Sequence, residues 1–476
     1  MPVRSLKYNF IMNAISTAAS VIFPLIVFVY VSHVLAPEGR GKVAFAASFV
    51  SYFTMTAMLG IPTYGIRVTA QLRDDRERLS RTVQELLIIN TVMSVISYLV
   101  FLVPALLVPR LKEEPALLFI HSALILFAFT GIDWLYRGLE QYRFITIVSL
   151  AFRVTNLLFV VLFVRNASDY VIYGAITVIG PLCVNLIYCA GARRFITLRP
   201  LGSYNLLPHL KRVLVFFATT CAISVYTHLD TTMLGFMKTD ADVGYYTVAV
   251  HVKTLLVSVV TSLGAVLLPR SSRYVDQNRM EEFRALSAKG LRFVILLATP
   301  LVLYFQLYAY DGILFLSGEA YLPSVTPMRI IMPALLLIGL TNILGIQMLV
   351  PLGREKTVFY SVLAGATVDF VLNLVLIPRY AASGAAFGTL VAEAAVLIVQ
   401  AVALKDVFFS AMREVPFFRI ALALAAACGC SVPVRFPETG SFFRLAVTAA
   451  LFFAAYAAVL LLLTGKVRAR YTDTHP

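Results

Sequence analysis

Two basic residues lie inside apolar segments, where charged side chains are rare. Arg153 falls within residues 144–164, and Lys253 falls within residues 244–268. A charge at membrane depth normally faces the interior of a helical bundle or a water-filled cavity. We therefore predict that both side chains point into a cavity. For Lys253 the alternative is a long side chain that reaches the membrane surface.

Polar residues flank both cations at helical spacing. Ser149 and Asn156 lie about one turn on either side of Arg153, so the three form one stripe along a helix. The helix of Lys253 has a polar half and an apolar half, and we expect the apolar half to face lipid. A guanidinium always stays charged, and two of its N–H groups can bind two oxygens of one phosphate. The pattern predicts a cationic cavity for an anionic, hydroxyl-rich substrate, formed by Arg153, Lys253, Asn156, Ser149, Thr254, Ser258 and His251.

Acidic and amide side chains are also embedded, toward the carboxyl-terminal part of the chain. Asp369 and Asn373 are four residues apart and share one helical face, and Glu393 lies midway along the next apolar segment. These residues could couple transport to protons or Na⁺, or pair with the deep cations. The alternative is that they form hydrogen bonds between helices that hold the bundle together.

The elements that position these residues are apolar segments of membrane-spanning length. The chain has 476 residues, of which 60% are hydrophobic and 14% are charged, with a mean hydropathy of +0.84. We predict an all-α polytopic membrane protein with about 14 transmembrane helices. The predicted spans are residues 10–35, 41–62, 84–108, 116–134, 144–164, 170–192, 213–236, 244–268, 291–316, 328–352, 357–378, 383–404, 416–434 and 442–464.

The distribution of charge between the spans predicts the orientation. The net charge is +15, and most of the 40 Lys and Arg residues fall in alternate loops, three of which are about twenty residues long. This asymmetry predicts cytoplasmic amino and carboxyl termini, and it explains the basic composition without nucleic acid. Trp134 and Tyr136, near the end of a span, are typical of residues at the membrane–water interface.

A faint repeat predicts the division into domains. The pattern Gly131-Ile132-x-x-Leu135 recurs at Gly345-Ile346-x-x-Leu349, and Gly41 and Gly244 each open a second helix. Parallel repeats of this kind are a transporter architecture. We predict two pseudo-symmetric six-helix lobes with a linker between them and two additional helices. The predicted boundaries are 1–192, 193–212, 213–404 and 405–476.

Several kinds of chemistry have no motif in this chain. No nucleotide-binding P-loop occurs, so an ion gradient, a substrate gradient or another protein must drive transport. The five cysteines lie in apolar spans without metal-ligand spacing, so we predict no disulfide framework, no metal site and no cofactor. The predicted outer loops are too short for a catalytic site, so we do not expect an enzyme.

Four segments resemble the polysaccharide-transport family, the Wzx-type O-antigen flippases of the MATE-like (multidrug, oligosaccharidyl-lipid, polysaccharide) superfamily. They are GIDWLYRGLEQYRFITIVSLAFRVTNL, LDTTMLGFMKTDADVGYYTVAVHVKTLL, LSGEAYLPSVTPMRIIMPALLLIGLTNILG and GREKTVFYSVLAGATVDFVLNLVLIPRYAASGAAFGTLVAE. The resemblance implies two six-helix lobes around a central cavity. It also implies flipping of undecaprenyl-pyrophosphate-linked oligosaccharide across the bacterial cytoplasmic membrane, with polysaccharide polymerase and chain-length proteins as partners.

This chain departs from the family pattern at RYAASGAA, where relatives often have a glycine soon after the aromatic residue. Two other functions are compatible with these residues. A multidrug or small-solute antiporter of the same fold is expected to have acidic residues in its cavity, whereas the deepest charges here are basic. A membrane polysaccharide polymerase or ligase needs a reactive site near the outer surface.

Overall fold

The computed structural model describes residues 6–197, 199–202, 204–262, 264–433 and 440–472. These residues are helical almost throughout, and no strand occurs among them. By their contacts, the described residues divide into one unit that ends at Gly244 and a second that begins at Tyr245. The predicted division at residues 193–212 therefore stays a prediction.

The first unit contains nine helices and the start of a tenth within its described residues. They are α1 (Leu6–Val34), α2 (Pro37–Met58), α3 (Ile61–Leu72), α4 (Arg76–Leu107), α5 (Pro115–Leu126), α6 (Asp133–Gly138), α7 (Tyr142–Phe163), α8 (Tyr170–Ala192), α9 (Leu206–Met237) and the first turn of α10 (Asp240–Thr261).

The second unit contains the rest of α10 and nine further helices within its described residues. They are α11 (Gly264–Asp276), α12 (Met280–Leu307), α13 (Ala309–Ser317), α14 (Val325–Ile331), α15 (Ala334–Asn342), α16 (Glu355–Ala403), α17 (Lys405–Arg413), α18 (Phe417–Ser431) and α19 (Ser441–Thr472). A π-helical segment, Ile343–Leu349, follows α15.

Helices long and apolar enough to cross a membrane confirm the polytopic, all-helical prediction. Ten helical segments among the described residues meet this criterion, one of which joins α2 and α3, and up to thirteen do if each of three bent pairs is one span. The bends are 45° within 115–138, 47° within 319–349 and 56° within 405–431. The long helix α16 contains a further reversal, described below, so the predicted number of fourteen spans stays a prediction.

Several helices extend beyond the predicted apolar spans. α4 begins at Arg76 instead of residue 84, and α12 begins at Met280 instead of residue 291. Two of the segments expected to be basic loops contain helices, α3 and α11. Hydropathy marks only the length that crosses hydrocarbon, so polar turns that continue a helix outside it were not predicted.

Trp134 and Tyr136 lie in the core of the first unit, which corrects their predicted place at the interface. Each side chain is 1% exposed. Gly65 of α3 lies against the indole, and a Cβ at Gly65 would fall 2.4 Å from Trp134 Cε3. The Tyr136 hydroxyl donates to the Tyr188 carbonyl at 2.7 Å. Burial makes both aromatic residues packing groups of the core, with the Tyr136 hydroxyl satisfied and the buried Trp134 Nε1 without a hydrogen-bond partner among the described residues.

The first turns of α2 and α10 cross at very short range. A Cβ at Gly41 would lie 1.7 Å from the Asp240 carbonyl oxygen, and one at Gly244 would lie 2.1 Å from the Pro37 carbonyl oxygen. Only glycine fits such a crossing. Gly41 and Gly244 are the two helix-opening glycines of the predicted repeat. They lie at the same helix crossing, where Gly41 of α2 faces the backbone of α10 and Gly244 of α10 faces the backbone of α2.

Candidate substrate-binding and ion-coupling sites

The stripe that carries Arg153 lies on α7, which runs parallel to α1. Three of the hydrogen bonds that join the two helices share an offset of 134 residues. The Thr146 hydroxyl donates to the Met12 carbonyl at 3.0 Å, and the Tyr30 hydroxyl donates to the Val164 carbonyl at 2.9 Å. Between them, Arg153 Nη1 donates to a carbonyl of α1 at 3.5 Å. A constant offset means that α1 and α7 stay in register along their length.

Arg153 is half-buried, and its donors are mostly unused. Its contact with the Ala19 carbonyl is long, and its buried Nε has no hydrogen-bond partner. Among the described residues, no carboxylate lies within 4.0 Å of its guanidinium. A guanidinium has five N–H donors and stays charged, so this side chain can accept an anionic ligand.

The other residues of the stripe contact their own or neighbouring helices. The Ser149 hydroxyl donates to the Thr146 carbonyl at 3.1 Å, one turn earlier in α7. Asn156 Nδ2 donates to the Ile176 carbonyl of α8 at 3.4 Å. α7 thus directs Arg153 toward α1 and Asn156 toward α8. Both side chains are half-buried.

Lys253 lies on α10 and is half-buried, without an ion pair among the described residues. Its helix follows the prediction only in part. On the apolar half, Val248 and Val252 are 0% and 3% exposed and pack on protein, whereas Val259 is 51% exposed. Val260 belongs to the core of the second unit, which also contains Val294. The periodicity defined two faces correctly, but an apolar face can pack on protein as well as on lipid.

The polar half of α10 is its more exposed half. Thr254 and Ser258 are exposed, and His251 is half-buried. The Thr254 hydroxyl donates to the Val250 carbonyl at 2.8 Å, and the Ser258 hydroxyl donates to the Leu255 carbonyl at 2.6 Å. Their protons are used within the helix, so each oxygen offers lone pairs that accept hydrogen bonds from a ligand.

Asp369, Asn373 and Glu393 lie in a helical hairpin formed by α16. Ala381 has φ 44° and ψ −126°, and this residue reverses the direction of the chain. Gln400 Nε2 of the second half donates to the Ser361 hydroxyl of the first half at 3.0 Å. The two halves are therefore antiparallel, in agreement with predicted spans at residues 357–378 and 383–404.

The embedded acid and amide are enclosed by a glycine that the sequence analysis did not single out. Asp369 and Asn373 are both 0% exposed, and Glu393 is 7% exposed. A Cβ at Gly388 would lie 2.5 Å from Asn373 Oδ1 and 3.1 Å from Asp369 Oδ1. The lack of a side chain at Gly388 makes room for both polar groups, and a glycine opposite two embedded polar residues is the signal that could have found this arrangement.

The first unit also contains a cavity of about 340 Å³ between α2, α3, α5 and α9. This volume falls within the range of small-ligand pockets. Its polar lining is neutral and rich in hydroxyls, and comes from Ser51, Thr54, Thr63, Thr220, Ser224 and His228. Thr220, Ser224 and His228 recur every four residues along α9, a stripe that the sequence analysis missed because none of them is charged.

Comparison with known proteins agrees with this architecture. The family described as "Polysaccharide biosynthesis protein" matches residues 6–275. A protein named "Putative O-antigen transporter" from Escherichia coli (strain K12) is 24% identical over 391 residues, which is 82% of this chain and 94% of that protein. A protein named "Probable flippase AglR" from Haloferax volcanii is 28% identical over 235 residues, which is 47% of this chain and 46% of that protein.

Two solved structures show the same fold. A lipid II flippase, MurJ, in an inward closed conformation has a TM-score of 0.76 at 13% identity, covering 96% of this chain and 99% of that chain. An inward-facing multidrug resistance MATE family transporter of the MOP superfamily has a TM-score of 0.64 at 12% identity, covering 85% and 99%. The resemblance seen in the sequence is confirmed, and the chain belongs to the polysaccharide biosynthesis protein family.

Proposed function

We propose that this protein is a flippase for lipid-linked oligosaccharide. Its substrate is an undecaprenyl-pyrophosphate-linked repeat unit of O-antigen, capsule or exopolysaccharide. Alternating access moves that lipid from the cytoplasmic to the outer leaflet of the bacterial cytoplasmic membrane. The observation that carries the proposal is Arg153, a half-buried guanidinium within a membrane-spanning helix whose Nε has no partner.

The pyrophosphate is the part of the substrate that Arg153 would bind. Charge-assisted bonds from arginine to phosphate oxygens are shorter and stronger than neutral hydrogen bonds. Lys253 would supply a second positive charge from a flexible side chain. Ser149, Asn156, His251, Thr254 and Ser258 flank the two cations along their helices and would bind polar groups next to the phosphates.

The neutral cavity of the first unit would bind sugar. The Ser51 hydroxyl donates to the Ser48 carbonyl at 2.6 Å, and the Thr220 hydroxyl donates to the Phe216 carbonyl at 3.1 Å. These oxygens present acceptors to the cavity, and sugar hydroxyls are donors. A lining without charged side chains does not favour a cationic drug or a bare phosphate.

Asp369, Asn373 and Glu393 would couple transport to an ion gradient. They are buried in one helical hairpin, and buried ionisable groups in membrane helices are typical of ion pathways and proton relays. The coupled ion is a proton or Na⁺. Polysaccharide polymerase and chain-length proteins remain expected partners.

Transport by purified protein in liposomes tests the proposal. Wild type should flip undecaprenyl-pyrophosphate-linked oligosaccharide, and Arg153→Ala should slow flipping by about tenfold or more, because hydrogen bonds to charged groups contribute roughly 1.5–3 kcal/mol. Arg153→Lys and Lys253→Ala should show intermediate rates. Arg165→Ala, which removes an exposed arginine, is the matched control.

Full activity of both alanine variants would show that Arg153 and Lys253 do not belong to the substrate site. If wild type moves no lipid-linked oligosaccharide but exchanges small organic cations for protons or Na⁺, the antiporter function is correct instead. The MATE fold of the solved relative is compatible with that outcome.

A further inference from the structure

A second polar cavity lies in the second unit, and none of the residues discussed above lines it. It measures about 380 Å³ and lies between α12 and α17, which pack against each other. Each helix lines it with the same spacing. α12 contributes Arg284, Ala285, Ala288, Lys289 and Arg292, and α17 with the turn after it contributes Asp406, Val407, Ser410, Ala411 and Glu414. Small side chains on both helices leave the space open, and charged side chains border it.

The charges of this cavity favour an anion. Arg292 Nη2 donates to the Glu414 carbonyl at 2.8 Å and lies 3.3 Å from Glu414 Oε2, so this pair neutralises itself. Arg284 and Lys289 are exposed and form no ion pair among the described residues. With Asp406 as the remaining carboxylate, the cavity has one excess positive charge. One phosphodiester group would balance it.

The surroundings of the cavity place it at the membrane surface. α17 is bent by 56° from α18 and carries lysine and arginine at its ends. Phe409, Phe417 and Phe418 are 58%, 56% and 81% exposed, and Val402, one turn before α17, is 67% exposed. A basic helix with exposed aromatic residues, joined to exposed apolar residues of a span, is typical of the boundary between headgroups and acyl chains.

From these observations we propose that the groove between α12 and α17 binds the headgroup of an anionic phospholipid of the phosphatidylglycerol type. Arg284 and Lys289 contact the phosphodiester, and a glycerol hydroxyl donates to Asp406. Basic pockets between membrane helices on the cytoplasmic side commonly bind anionic headgroups. The site rests on the predicted cytoplasmic orientation of α12 and is independent of which substrate the protein transports.

Native mass spectrometry of purified protein, titrated with phosphatidylglycerol in detergent, tests this site. Wild type should retain phosphatidylglycerol more tightly than phosphatidylethanolamine or phosphatidylcholine. The double variant Arg284→Gln/Lys289→Gln should weaken that retention by about thirtyfold, from the usual contribution of two basic residues near an anionic surface. Ala285→Leu keeps every charge but fills part of the groove at an exposed position, and it should also weaken retention.

The matched control is Arg76→Gln/Arg193→Gln, which removes two exposed arginines from the first unit and should retain the lipid like wild type. An equal loss of lipid retention in this control would show that net charge alone explains the effect, and it would overturn the proposal that the groove is the binding site. Unchanged retention in both groove variants would overturn it as well. If glycerol 3-phosphate binds as tightly as the lipid, the ligand is a soluble phosphate and the headgroup assignment is wrong.

Discussion

At the scale of single residues, two half-buried arginines of the first unit have opposite surroundings. Arg110 forms ion pairs with Asp240 and Glu113 and donates to the Gly235 carbonyl at 2.7 Å. Arg153 has one long contact to a carbonyl. The partners of Arg110 thus stabilise the fold. Burial of the Arg153 charge costs free energy that no ion pair among the described residues offsets.

We therefore predict opposite effects of the same substitution at these two positions. Arg153→Met should abolish most transport and leave the free energy of unfolding unchanged or raised by about 1–2 kcal/mol, because an apolar side chain replaces an uncompensated charge. Arg110→Met should lower the free energy of unfolding by about 3 kcal/mol, because Asp240 loses its ion-pair partner. Urea unfolding beside transport measures both, and a large loss of stability in Arg153→Met would show that the guanidinium has a structural role.

The hydroxyl stripe on α9 leads to a second prediction about individual side chains. Thr220→Val with Ser224→Ala removes two polar groups of the neutral cavity at nearly constant volume. We expect flipping of glycosylated lipid to fall by about tenfold, as two neutral hydrogen bonds contribute roughly 0.5–1.5 kcal/mol each. Flipping of the same lipid without sugar should not change.

Thr227→Val is the control for this pair, because Thr227 is exposed on the same helix and is not part of the cavity lining. The two rates should be measured in liposomes with glycosylated and bare undecaprenyl pyrophosphate. Equal slowing of both lipids would mean that the cavity does not recognise sugar.

At the scale of elements, the hairpin of α16 turns at a residue that is not glycine. Ala381 has φ 44°, a conformation that costs a residue with a Cβ on the order of 1–3 kcal/mol. Ala381 lies in RYAASGAA, the segment in which the family resemblance implies a glycine soon after the aromatic residue. The structure therefore keeps the tight turn although the glycine is absent, and the strain is held by the packing of the two halves.

Glycine at this turn should stabilise the protein. We predict that Ala381→Gly raises the free energy of unfolding by about 1 kcal/mol, because relief of strain exceeds the added entropy of the unfolded chain. Ala395→Gly, within the regular second half of α16, should lower it by a similar amount through loss of helix propensity. Circular dichroism during urea unfolding measures both, and destabilisation by Ala381→Gly would show that the turn is not strained.

Much of the fold was predictable from these elements, and the limits have physical causes. Apolar length located the spans, and a four-residue spacing placed Asp369 and Asn373 on one face. Periodicity could not say which neighbour covers a face, so the apolar half of the Lys253 helix was assigned to lipid although Val248 is fully buried. Small or neutral residues such as Gly388 and Ser224 were missed because they act by leaving room or by accepting hydrogen bonds.

At the scale of the whole molecule, the orientation in the membrane is the main prediction. The basic loops should lie in the cytoplasm. In a variant without the five native cysteines, Ser168→Cys should react with a membrane-impermeant maleimide in intact cells, and Gln277→Cys should react only after permeabilisation. Both positions are exposed. The reverse pattern would invert the topology and, with it, the proposed direction of transport.

Trp134 has a consequence for how the protein can be observed. It is the only tryptophan of the chain, and it lies at 1% exposure against Gly65 in the core of the first unit. Indole fluorescence during melting therefore reports the loss of that one core, whereas far-ultraviolet dichroism reports helices of both units. Coincident curves would show that the chain melts as one cooperative body. Separated curves would assign the emission change to the first unit and leave the remaining dichroic transition to the second.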